Sequence, residues 1–208
     1  MKRLMTCALL LCFAFGLSAD DQRQPSTRTP LQGDKRPNMF PMAKGSQWEF
    51  ELNVSGMTVS VVQEMTDVTK KGDQTHATLT TKANGQDIAE EMSVDDKGIY
   101  RHSFNNIKLD KPILSFKFPV QPQKWTETFK IQGMDVEVKM EMKAAEDVTV
   151  PAGNYKKVIP VEINMSIQGQ DISATNYYAE GVGIIKQEAS FAGTKISSAL
   201  KKYTPAAK

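Results

Sequence analysis

Alternation of apolar and polar residues runs through most of this chain and restricts its fold more than any other feature. Val136, Val138, Met140 and Met142 alternate with Glu137, Lys139, Glu141 and Lys143 without a break. Trp48, Phe50, Leu52 and Val54 do the same against Gln47, Glu49, Glu51 and Asn53, and Ile159, Val161, Ile163, Met165 and Ile167 repeat the pattern. Leu114, Phe116 and Phe118 add a shorter face. Successive side chains of a strand point to opposite sides, so a period of two with one wet face means half-buried antiparallel sheet. No stretch keeps a helical period beyond one or two turns. Ser55-Gly56, Asn84-Gly85, Gln132-Gly133, Gln168-Gly169 and Ala192-Gly193 separate apolar alternations, and glycine there supplies the positive φ of tight hairpins. Val150-Pro151-Ala152-Gly153 fits a type I turn. The expected fold is all-β, a strongly curved antiparallel sheet (half-barrel or flattened barrel) of about 10–11 strands, mostly a meander.

The chain also resembles itself. VSGMTVSVVQEM (54–65) aligns with IQGMDVEVKMEM (131–142), and Trp48 and Trp125 share the same offset of 77 residues. NGQDIAEEMSVDDKGIY (84–100) parallels QGQDISATNYYAEGVGI (168–184). Two copies suggest an internal duplication, with similar halves at about 40–110 and 119–195 of one β domain spanning 38–205.

Lys2 and Arg3 precede the apolar stretch from Leu4 to Leu17, followed by Ser18-Ala19-Asp20. This reads as a signal peptide over residues 1–19, cut near Ala19. Residues 20–37 hold one large apolar side chain, Leu31, among charges, Pro, Ser and Thr, and are expected to be a disordered leader. Removing the signal leaves 24 basic against 24 acidic residues. That neutrality removes the electrostatic case for nucleic acid or an anionic membrane. Cys7 and Cys12 leave as well, so the mature chain has no disulfide, thiolate metal site or cysteine nucleophile. Leu11 stands where a lipoprotein signal would place a small residue, just before Cys12. No apolar run reaches the roughly 20 residues that cross a bilayer. The protein is expected to be soluble, secreted or periplasmic, with no transmembrane anchor.

Three motifs carry a family resemblance. Phe40-Pro41-Met42-Ala43-Lys44-Gly45-Ser46-Gln47-Trp48-Glu49-Phe50 resembles the opening of a broad family of secreted bacterial domains of unknown function (TapB-like). Val150-Pro151-Ala152-Gly153-Asn154-Tyr155 is similar to that family's central turn. Tyr177-Tyr178-Ala179-Glu180-Gly181-Val182-Gly183-Ile184-Ile185-Lys186 is similar to its closing strand. The resemblance implies a curved sheet akin to the periplasmic LolA/LolB-like lipoprotein carriers. It brings no agreed activity and no catalytic residues.

Recognisable enzyme motifs are missing: no Gly-x-Ser-x-Gly elbow, no His-Glu-x-x-His pair and no phosphate-cradling glycine loop. The protein is therefore read as a non-enzyme without a cofactor. His76 and His102 are the only imidazoles. They read as surface residues, and a metal site would need their strands to face each other with a carboxylate such as Glu90 nearby. Glu90 and Glu91 point to opposite faces, which puts Glu90 with Ile88 and Met92. An unfamiliar hydrolase built on Glu90 is the third-ranked reading. Met65, Met140 and Met142 continue apolar rows, so pocket or core filler is preferred to copper ligation. Lys195, Lys201 and Lys202 lie on or near the last strand and are expected to protect a sheet edge.

More strands than about eight widen a barrel beyond what side chains fill. A hollow lined by Phe116, Phe118, Trp125, Phe129, Met140, Met142 and Met165 is therefore expected, suited to an apolar, lipid-like ligand. The alternative is a solid-cored structural module that docks an envelope protein.

Overall fold

The computed structural model describes residues 36–83, 85–167 and 169–207. The signal peptide and the leader up to residue 35 lie outside the described residues, as do the turn positions Asn84 and Gln168. Among the described residues there is no helix, and thirteen strands follow in order. They are β1 (Gln47–Val54), β2 (Met57–Lys71), β3 (Gln74–Ala83), β4 (Gln86–Val94), β5 (Gly98–Phe104), β6 (Ile107–Lys117) and β7 (Gln123–Ile131). After these come β8 (Met134–Met142), β9 (Glu146–Val150), β10 (Gly153–Ile167), β11 (Gln170–Ala179), β12 (Gly183–Phe191) and β13 (Thr194–Thr204). The expected curved antiparallel sheet is what forms. Its count exceeds the sequence reading because β9 has only five residues and β5 mixes polar and apolar residues on both faces.

The sheet runs β6-β5-β4-β3-β2-β1-β13-β12-β11-β10-β8-β7, with β9 paired to β10 off this path. The first half is a meander, the second departs from one only where β10 pairs with β8 as well as β9, and β1 joins β13 at the middle. The two end strands, β6 and β7, come together and nearly close a barrel. They meet through side chains: the Trp125 indole donates to the Leu114 carbonyl at 2.8 Å. The Lys130 amide donates to Asp110 Oδ1 at 2.6 Å. Pro112, inside β6, has no N–H to offer a neighbour, which suits an edge strand.

Lys195, Lys201 and Lys202 do not guard an edge. β13 lies between β1 and β12 and pairs with both from Ile196 to Ala199, while Lys195 pairs only with β12 and Lys202 only with β1. The lysines are on its wet outer face, where Lys201 sits 3.4 Å from Glu49. The final strand of the sequence is central because the N- and C-terminal strands zip together.

The two ends of the barrel differ. The tight turns of β1–β2, β3–β4, β5–β6, β7–β8, β10–β11 and β12–β13 share one rim, as the registers Val54↔Ile196 and Ile131↔Met134 require. Ser55-Gly56 (φ 51°, 85°) and Gln132-Gly133 (φ 51°, 80°) make the same turn, with both central residues at the positive φ of a type I′ hairpin. The β1–β2 hairpin stands above β3, whose ladder with β2 begins only at Val62↔Lys82.

The opposite end is plugged. Trp48 stacks between Phe40 and Tyr203, with ring centroids at 5.5 and 5.3 Å, and its indole donates to the Val182 carbonyl at 2.6 Å. Gly181 N donates to Asn38 O at 2.7 Å, and Ala206 N to Ser46 Oγ at 3.2 Å. A Cβ on Gly183 would stand 2.9 Å from the Phe40 ring, so this position must be glycine for the ring to seat. The aromatic-Pro opening and the Gly-x-Gly strand, far apart in sequence, thus form one plug. The Val-Pro-Ala-Gly turn is tied to it through Ala152 N and the Leu200 carbonyl, 2.9 Å apart.

Candidate functional site

Inside the barrel the apolar side chains divide. One large core, with Trp48, Phe116, Met142, Tyr178 and Leu200, fills the plugged end and continues along β7 and β8 to Ile131 and Val136 near the turn rim. Two small clusters, Ile172 with Phe191 and Leu52 with Val61 and Ile196, sit toward the turn rim. Between them lies a chamber of about 110 Å³, walled by strands from both halves. A water needs at least about 10–15 Å³ measured this way. The chamber therefore admits several waters, or a small head with the first carbons of a chain.

Its walls carry polar groups in pairs. Gln63 on β2 donates to Thr81 on β3 at 3.2 Å. Gln187 on β12 donates to Asn176 on β11 at 2.8 Å, and Ser198 on β13 lies 3.5 Å from Gln187. Arg101 on β5 donates to Glu90 on β4 at 2.7 Å, with side-chain exposures of 14% and 15%. The guanidinium also lies over the Phe104 ring at 5.4 Å. Beneath them the Tyr178 phenol is wholly buried, and burial pushes its pKa up against the opposing pull of Arg101 and Asn176. Met57 and Val59 share the face of Val61 and Gln63, yet they are 69% and 38% exposed where the hairpin overshoots β3. They form an apolar lip beyond the rim.

The seven side chains expected to line a hollow separate into two sets. Phe129, Met140 and Met165 line the chamber. Phe116 is fully buried against Phe118 and Tyr178, with centroids at 5.7 and 4.7 Å, and Met142 is packed in the main core. Trp125 bonds the β6–β7 seam, and Phe118 is half-buried at the core's margin. Sequence reasoning placed Glu90 on the inner face but missed Arg101. The signal was present: Arg101 shares the parity of Ile99 and Ser103, both buried, and pairs with Met92.

His76 and His102 do meet, on the outer face, with ring centroids 5.5 Å apart. β4 runs between their strands, and its Ser93 hydroxyl lies 2.8 Å from His102 Nε2. Glu91 shares this face; Glu90 does not. Among the described residues no group of three His, Cys, Asp or Glu is placed to hold a metal. Burial, then His76, hold His102 below its usual 6.5, with Lys108 and Lys71 adding to this and Glu91 opposing it. The native ring stays neutral while the unfolded chain takes up a proton, so folding stability falls as pH drops through the histidine range. Urea midpoints should be flat from about pH 8 to 7 and decline toward about pH 5.5, with a shallower decline in His102→Gln. A midpoint that rises on acidification contradicts this assignment.

Residues 121–201, from just before β7 into β13, match the DUF3108-like family. No curated protein matches the chain. Two solved structures share its fold. One, provisionally named as exported and with a YmcC-like fold, is from Bacteroides fragilis; it is 14% identical at a TM-score of 0.55, over 81% of this chain and 100% of its own. The other, provisionally named a lipoprotein, is from Parabacteroides distasonis; it is 11% identical at a TM-score of 0.55, over 82% of this chain and 100% of its own. The expected likeness to secreted bacterial domains of unknown function is borne out.

Proposed function

We propose that this protein is an extracytoplasmic, non-enzymatic binding module that takes the end of an amphiphilic small molecule into its barrel. The chamber carries this reading: it reaches from Phe40 and Ile184 at the plug to Ile172 and Ile196 near the turn rim, where two small apolar clusters stand apart from the main core. The exposed Met57 and Val59 offer a surface on which a chain leaving the chamber could lie. The names given to the two proteins of like fold favour a location outside the cytoplasm. The chamber's size suits a short amphiphile or one end of a longer one.

Methionine methyls report on this directly. With octanol as probe, the Met140 and Met165 methyl resonances should move saturably, while Met65 and Met142, 0% and 1% exposed in packed core, should hold still. Ala174 lines the chamber, and Ala174→Phe should fill it and weaken octanol binding at least about tenfold in a folded protein, a loss of about 1.4 kcal/mol. Uniform small shifts at all methionines, unchanged by Ala174→Phe, would favour a solid-cored interaction module instead.

A further inference from the structure

We infer that the chamber selects an uncharged hydrogen-bonding head group, such as an amide or a glycerol ester, over a carboxylate, phosphate or ammonium. This deepens the binding role proposed above and rests on it. Apart from the Glu90–Arg101 pair and Glu188, the polar side chains that line the chamber are neutral, Gln63, Thr81, Asn176, Gln187 and Ser198 among them. Their amides and hydroxyls can both donate and accept, as an amide or hydroxyl head requires.

The charges that border the chamber are already matched. Arg101 is held by Glu90 at 2.7 Å, so an incoming anion would have to displace a carboxylate that is covalently tethered beside the guanidinium. An incoming ammonium faces the same competition from Arg101 for Glu90. Glu188 also borders the chamber, but Lys186 at 2.8 Å and the Tyr177 hydroxyl at 2.9 Å engage its carboxylate at the surface. A charged head would therefore enter without a counter-ion, and an unpaired charge is far costlier to bury than a paired amide.

The test uses one chain length with three heads: octanamide, octanoate and octylammonium, titrated at neutral pH and read on the Met140 and Met165 methyls. Octanamide should bind at least about tenfold more tightly than either ion, the preference expected from one uncompensated charge. Glu90→Gln removes the tethered carboxylate and exposes Arg101, so octanoate should gain at least about tenfold relative to octanamide. The wild-type ranking stands alone if that variant proves too unstable. Octanoate or octylammonium equalling octanamide on the wild type overturns the inference while leaving the binding role intact. Failure of octanol and all three probes to move these methyls overturns both.

Discussion

Arg101→Met is expected to lower the folding stability by about 1–3 kcal/mol, between the value of an exposed pair and the cost of stranding one member of a fully buried one. Glu90 and Arg101 are each about 15% exposed or less and 2.7 Å apart, so removing the guanidinium strands a carboxylate at the chamber wall. Met matches the length of the arginine stem and keeps contact with Phe104, which isolates the charge from the packing. Water in the chamber would hydrate the lone carboxylate in part, which pulls the loss toward the lower end of that range. The double variant Arg101→Met, Glu90→Met should recover most of it, because apolar replacement of a whole buried pair is often neutral. Urea denaturation of the four proteins gives the coupling. A loss of about 0–1 kcal/mol in Arg101→Met, the value of an exposed pair, would place these side chains in solvent and not in the barrel.

Trp48→Ala should cost about 3–5 kcal/mol, in the range of large aromatic truncations in cores. Trp48 is 1% exposed and stands at the centre of the plug, between Phe40 and Tyr203. Its loss opens a void and leaves the Val182 carbonyl without the indole donor. Trp48→Phe keeps an aromatic ring in the stack and removes mainly the hydrogen bond, so about 1–2 kcal/mol is expected. The ratio of the two losses separates packing from hydrogen bonding. Equal losses would mean that the bond to Val182, and not the stack, closes this end.

Much of the fold was legible because strands with one wet face write their geometry as a period of two. β1, β8 and the second part of β10 show it in full, and the turns Ser55-Gly56 and Gln132-Gly133 punctuate it. Even the matching of Trp48 with Trp125 has a structural counterpart, since each indole donates to a backbone carbonyl of another strand or turn. What periodicity cannot convey is which strands become neighbours. That β13 lies between β1 and β12, and that β6 meets β7, follow from contacts between residues far apart in sequence. Edge and centre were confused for that reason at Lys201 and Lys202.

The chamber was harder to read because its chemistry consists of interruptions. Gln63 follows Val59 and Val61 on the inner parity, and Gln187 follows Ile185, so each looks like the frayed end of an apolar run. Aromatic and methionine positions were the natural candidates for a lining. Only Phe129, Met140 and Met165 reach the chamber, since Phe116 and Met142 lie deeper, where the plug leaves no space. The family-like motifs, meanwhile, gather mostly at the plugged end, where they close the barrel, and only Phe40 and Ile184 among them also line the chamber.

The central claim is that the chamber is a place for a ligand, and the protein's own cargo tests it most directly. Wild type and Ala174→Phe, exported and purified side by side without detergent, should be extracted and compared by quantitative mass spectrometry. The account predicts one amphiphile near stoichiometric amount in the wild type and its loss from the chamber-filled variant. Equal trace lipids in both, with no compound that depends on the residue at position 174, would contradict it.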